Sequence, residues 1–270
     1  MKKFAGNLFI GIIYTILYAP LLVMVLFSFN ESKSTANFTG FSLKWYNELF
    51  SSGSSMEALK NTLILAVASA VIATVLGTMA AVYIYYIRNK AWRGTVNLVT
   101  NIPMMNPDIV TGVSLMLLFV FIGRLIGATN SLSFGTLLIA HITFNLPYVI
   151  LNVLPKLNQT DPHLSEAAQD LGSTPLRAFF NIVLPSIMPG IMSGFLMSFT
   201  LSLDDFVISY YTTGSDFQTL PLKIFSMTKK TVKPDMYAIS SLIFVTVLVL
   251  LLIINIAQIK QMKKDAAKKN

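Results

Sequence analysis

The sequence predicts an all-α, polytopic membrane protein of six transmembrane helices with both termini in the cytoplasm. Of the 270 residues 54% are hydrophobic and 12% charged, with mean hydropathy +0.66; an average soluble domain carries about 25% charged residues. The apolar residues also arrive in long blocks, and a bilayer core about 30 Å thick takes roughly 20 of them per helix. A transmembrane barrel would alternate apolar and polar positions in segments of about 10 residues, which continuous runs exclude. The chain has no cysteine, which removes disulfides, thiolate metal sites and cysteine nucleophiles together.

Uninterrupted apolar stretches place spans at roughly 8–29, 61–87, 98–123, 133–153, 182–210 and 237–259 in one transmembrane domain covering 1–270. The first follows Lys2 and Lys3, but its apolar run is too long for a signal-peptide core and no small-residue cleavage site follows, so it is a retained helix. The second and fifth carry small residues at packing spacing: Ala66, Ala70, Ala73, Gly77 and Ala80, then Ser186, Gly190, Gly194, Ser198 and Ser202. Such stripes let helix backbones approach closely, within one chain or between subunits. With the N-terminus inside, 12 of the 20 cations fall in the shorter internal segments, and the tail MKKDAAKK is strongly basic. The net charge of +8 is therefore spread over loops and ends, as membrane orientation needs, and not gathered into a nucleic-acid-binding face.

The loop 154–181 then lies in the cytoplasm, and its stretch TDPHLSEAAQDLGSTPLRAFFNIVLPSIMPG has explicit helix ends. Asp161 can cap the first amides, Pro162 suits the first helical position, and Gly172 suits the left-handed residue that stops the helix. Thr174 and Pro175 start a second helix toward the fifth span. Ala167 and Ala168 leave a low-profile face and Glu166 offers a charge, a shape suited to another protein's groove.

Glu166, Ala167, Ala168, Gly172, Ile182, Leu184 and Pro185 stand at the spacing of the EAA loop of bacterial ABC-importer permeases, and the chain resembles that family. The resemblance implies the type I importer permease fold. It also implies that Glu166, Ala167, Ala168 and Gly172 couple to a cytoplasmic ATPase subunit present in two copies. The chain lacks a G-x-x-x-x-G-K-[ST] phosphate loop, so ATP and Mg belong on that partner and this chain is non-catalytic with no bound cofactor.

Asp108, Asp204 and Asp205 fall inside the expected spans, where an ionised aspartate costs roughly 2.5–3.5 kcal/mol at the helix centre. Asp108 follows Asn106 and Pro107, with Pro103 a turn earlier, so the third span is expected to unwind there and show polar groups to a cavity. Neighbours on a helix point about 100° apart. Asp205 continues a polar line through Ser198, Ser202 and Ser209 and is expected to face a translocation path; Asp204, aligned with Thr200 and Ile208, is assigned to its outer mouth or to a bond between helices.

NPDIV at 106–110, HITFNLPYVI at 141–150, SFTLSLDDFVIS at 198–209 and LPLKIFSM at 220–227 resemble, more narrowly, the C-type permease subunits of spermidine/putrescine importers. This implies a polyamine substrate, a second homologous permease, an external polyamine-binding protein and a bacterial inner-membrane location. Carboxylates suit a chain of ammonium groups, and Phe206, Tyr210, Tyr211, Trp45 and Tyr46 are candidates for cation–π contact. His141 is expected to bond Asn145 a turn later, and His163 to face solvent. Two distant histidines make no metal site. Two rivals use the same acids: an intramembrane aspartyl protease with Asp108 and Asp204 or Asp205 as its dyad, and an ion-coupled transporter built on inverted repeats. The protease leaves the EAA spacing unexplained, and the sequence shows no inverted repeat to support the ion-coupled transporter.

Overall fold

A computed structural model of the chain describes residues 2–32, 37–128, 130–161, 163–229 and 236–249, with 252 and 256. Its helices are α1 (Lys2–Phe27), α2 (Lys44–Ser51), α3 (Gly53–Tyr86), α4 (Lys90–Met105), α5 (Asp108–Leu125), α6 (Phe134–Gln159), α7 (His163–Asp170), α8 (Pro175–Ala178), α9 (Leu184–Asp204), α10 (Val207–Thr212) and α11 (Leu220–Thr228). A further apolar helix, α12, covers Met236–Val249. Among the described residues, five helical runs are long and apolar enough to cross a membrane: Gly6–Phe27, Gly53–Tyr86, Asp108–Leu125, Phe134–Gln159 and Pro175–Asp204. The sixth expected span is represented by α12; its remainder, apart from 252 and 256, lies outside the described residues, as does the basic tail.

Several boundaries differ from expectation: the second span begins at Gly53 and the fourth runs to Gln159, and two further differences have a local cause. The third span does not begin at 98. Asn89 Oδ1 accepts from the Ala91 and Trp92 amides and starts a separate helix, α4, which ends before Asn106–Pro107; the apolar crossing is α5. Pro107 cannot donate an amide, and it disfavours helical backbone at Asn106, which is extended at ψ 141°. The fifth span begins early, because α8 runs into α9 through a π-helical stretch, Phe179–Val183. There the Leu184 amide donates to Phe179 O, five residues back. The extra residue in the turn relieves the clash Pro185 would cause in a regular helix.

Packing divides the chain into two units, 1–57 with 223–270 and 58–222. In the first, the Asn30 side chain ties the segment after α1: its Nδ2 donates to Asn37 O (2.8 Å) and its Oδ1 accepts from Thr39 N (2.9 Å). In the second, α3, α6, α9 and the π stretch share a core that includes Ala73, Ile84, Val149, Val153 and Ile187. The small-residue stripes serve this packing inside the chain. A Cβ on Gly190 would lie 2.8 Å from Asn152 O, and one on Gly77 would lie 2.7 Å from Val149 Cβ. Ala66, Ala70 and Ala73 are fully buried, as are Ser198 and Ser202 to within 2%. With little hydrophobic drive between helices in lipid, such close approach supplies the attraction.

Candidate functional site

The loop between α6 and α9 folds into a rod with closed ends. The His163 amide donates to Asp161 Oδ1 (2.9 Å) and starts α7; Pro162 lies outside the described residues. At the other end Gly172 takes φ +88°, the Ser173 amide donates to Ala168 O (3.0 Å) and the Gly172 amide to Gln169 O (2.9 Å). These two bonds form a Schellman stop, and the left-handed residue between them favours glycine. Thr174 Oγ1 then accepts from the Arg177 amide (3.4 Å), with Pro175 opening α8.

Ala168 is buried, in a rod that packs against the π stretch and α8, while Glu166, Ala167 and Gly172 are exposed. His163 Nδ1 lies 3.0 Å from Glu166 Oε2, both side chains largely in solvent. That hydrogen bond, followed by the Glu166 and Asp161 charges, holds the His163 imidazole above its ordinary value. A cavity of about 700 Å³ opens beside the rod, where Asp161, Ser165, Glu166 and Gln169 face Tyr85 and Arg93. Arg93 is itself bound to Asn158 Oδ1 (3.0 Å) and lies 5.9 Å from the Tyr85 ring centroid. Sequence reasoning missed Leu171 and Leu176, which flank the turn and stand 89% and 72% exposed. A leucine directly before a capping glycine was the available signal.

The aspartates of the spans separate into different settings. Asp108 is exposed and opens α5 directly after the Asn106–Pro107 break. Asp204 is exposed and is the last residue of α9, whereas Asp205 turns inward with a side chain only 8% exposed. The expectation that Asp205 faces an open path is therefore corrected. Its carboxylate accepts from the Ile208 amide (3.3 Å) and the Ser209 amide (2.8 Å), capping α10. His141 Nε2, from α6, lies 3.0 Å from Ser209 Oγ and 3.5 Å from Asp205 Oδ2. The polar line Ser198, Ser202, Asp205, Ser209 does exist, but it faces α3 and α6. There Ser69 and Ser202 share a hydrogen bond of 2.9 Å, and Asn145 Nδ2 donates to Ser202 Oγ (2.7 Å). His141 thus meets α10 rather than Asn145, its expected partner.

The aromatic candidates also divide. Tyr210 is 48% exposed, with ring centroids 5.6 Å from Phe206 and 5.2 Å from Tyr211. Tyr211 packs toward Gly112, one turn beyond Asp108, so α5 and α10 bring an acid and these rings into one neighbourhood. Trp45 and Tyr46 are built into the other unit. Trp45 is 4% exposed and donates Nε1 to Asn30 O (2.6 Å); the Tyr46 hydroxyl meets Ser28 Oγ (2.7 Å) and Ser241 Oγ (3.3 Å). Trp45 is thereby buried, and Tyr46 is half-buried with its ring centroid 5.1 Å from that of Phe29, so both serve the scaffold of this unit.

Long apolar helices, interrupted beside carboxylates and joined by an exposed capped rod, define a multi-pass membrane protein of the transport class. The chain belongs to the family described as binding-protein-dependent transport system inner membrane component, whose model matches residues 73–261. It is 42% identical over 232 residues to the putrescine transport system permease protein PotI of Escherichia coli K12, covering 85% of this chain and 82% of that one. It is 38% identical over 244 residues to the spermidine/putrescine transport system permease protein PotC of the same organism, covering 90% of each. Among solved structures, a bacterial ABC transporter involved in the import of the acidic polysaccharide alginate superposes with TM-score 0.74 over 96% of this chain and 95% of that one. At 17% identity, that likeness shows the fold. The chain is a permease subunit of the ABC-importer type, multi-pass in the inner membrane and non-catalytic in itself.

Proposed function

We propose that this chain forms one half of a polyamine path through the inner membrane, driven by an ATPase that docks on α7. The observation that carries the energy-coupling part is the exposed rod, with Glu166 and Ala167 outward and Leu171 and Leu176 uncovered beside them. Exposed leucines flanking a sharply capped helix favour a protein partner over bulk water. In this reading both termini and α7 are cytoplasmic. Two copies of an ATP-binding subunit carry the ATP and Mg, a second homologous permease completes the path, and an external binding protein delivers the substrate.

The polyamine assignment rests on the relatives together with the acids. A carboxylate facing hydrocarbon costs roughly 2.5–3.5 kcal/mol, so the outward Asp204 and Asp108 fit a hydrated path or a partner's surface better than lipid. A flexible chain of ammonium groups suits such acids, with Tyr210, Tyr211 and Phe206 offering ring faces and Asn106 a polar edge. On closure of the ATPase pair, α7 is drawn inward and rocks the helices around the path, alternating its access. The protease rival needs two carboxylates sharing a proton, and Asp205 is already committed to two amides and an imidazole.

Uptake of labelled putrescine and spermidine into proteoliposomes holding the purified complex tests this reading. ATP-dependent uptake that falls on Asp204→Asn with normal protein level is expected. Uptake by this chain alone without ATP overturns the energy coupling, and ATP-driven complexes indifferent to both polyamines overturn the substrate.

A further inference from the structure

We infer that His141 is a positioning residue for substrate passage: it latches the α9–α10 break so that Asp204 is turned out toward the path. The inference rests on the path reading above. In an unbroken helix Asp204 and Ile208, four residues apart, would share a face. Here they do not: Ile208 is fully buried against Phe119, Ala140 and Phe144, while Asp204 is exposed. The break that separates them is local. Asp205 is extended (φ −61°, ψ 125°), Phe206 sits at φ −108°, ψ −42°, and α10 restarts at Val207.

A break at membrane depth frees backbone amides that lipid cannot satisfy. Asp205 meets those of Ile208 and Ser209, and His141 meets Asp205 and Ser209 together, so one imidazole bridges both sides of the break from a different helix. Geometry also assigns the tautomer. Nε2 faces a carboxylate and a hydroxyl and carries the proton; Nδ1 is buried without a hydrogen-bond partner. His141 thus acts as a strut between α6 and the break. No apolar replacement donates to the carboxylate, and the amide nitrogen of glutamine reaches nearest to the place of Nε2.

The chain has no cysteine, so Asp204→Cys in the assembled transporter reports the outward direction of position 204 through its labelling by a membrane-impermeant maleimide. Labelling is expected with His141 intact. It should fall by roughly tenfold in His141→Ala, the scale of one charge-assisted hydrogen bond, and return in His141→Gln but not in His141→Asn. On the Asp204 background without the cysteine, polyamine moved per ATP should follow the same order while ATPase stimulation is retained. The Gln and Asn variants conserve polarity and decide the matter should the alanine variant fail to assemble. Labelling indifferent to His141, or equal in the Gln and Asn variants, overturns the latch alone. Absence of labelling with His141 intact overturns the path placement of Asp204 and the latch with it.

Discussion

The rod α7 and the α9–α10 break are both made by an aspartate accepting backbone amides, yet they work in opposite surroundings. At α7 the cap stands in water: Asp161 starts the helix, Gly172 ends it, and the His163–Glu166 pair of its outer face stands in solvent. At the break the cap lies in an apolar interior, where Asp205 must also be neutralised by hydrogen bonds and His141 is recruited from another helix. A solvated cap is worth about 1 kcal/mol. A buried carboxylate that loses a partner costs more, because its desolvation remains uncompensated. The first region is therefore tuned for contact and the second for direction.

The largest effect is expected from reversing the charge on the rod. Glu166→Lys should remove the ATPase from the purified complex and take uptake to background, while the chain still inserts to its normal level; co-purification from membranes reads this. Retained ATPase would leave α7 a plain surface helix and dissolve the contrast. Next comes the core between the two regions. Gly190→Val places a branched side chain against Asn152 O and Lys156 and should lower the stability of the purified complex by about 1–3 kcal/mol. Gly94→Ala, inside α4 with nothing within 4 Å of the added Cβ, should instead raise stability by about 0.5–1 kcal/mol, the helix-interior preference for alanine over glycine.

Neighbouring aspartates should then part company. Asp205→Ala removes the cap of α10 and should lower stability by about 1–2 kcal/mol along with uptake. Asp204→Asn should lower uptake several-fold with the melting temperature intact. Equal loss of stability in both variants would show that the break separates nothing.

The same contrast explains what the sequence made legible. Caps are local, so Asp161 and Gly172 announced the two ends of α7, Thr174 and Pro175 announced the start of α8, and Pro107 announced the break before α5. The Asp205–His141 contact spans 64 positions and depends on the register of α6 against α9, which periodicity alone does not supply. Helical geometry put Asp205 on a line with Ser198, Ser202 and Ser209, whereas α9 ends at Asp204, and a polar line reads alike whether it faces a cavity or other helices. Trp45 and Tyr46 make the same point: an aromatic pair near an interface has no sequence mark that distinguishes an open side chain from one already bonded to Asn30 and Ser28.

The smallest expected effect concerns His163, and it sharpens the view of α7 as a contact surface. Its imidazole is raised by the Glu166 hydrogen bond and by the Glu166 and Asp161 charges. A raised folded value means that the pairing contributes fully below the ordinary histidine value, about 6.5, and is lost as the pH rises through the raised one. The contribution to the helix is slight, because the pair is exposed and a cation in the first turn opposes the helix dipole. The partner, however, meets Glu166 covered at acidic pH and bare at alkaline pH. Binding-protein-stimulated ATP hydrolysis should therefore rise across about pH 6 to 8 more steeply in the parent complex than in His163→Asn, modestly and less so at high salt. Parallel profiles would mean that Glu166 meets the ATPase through a contact indifferent to its charge, leaving shape as the feature of the rod that the partner reads.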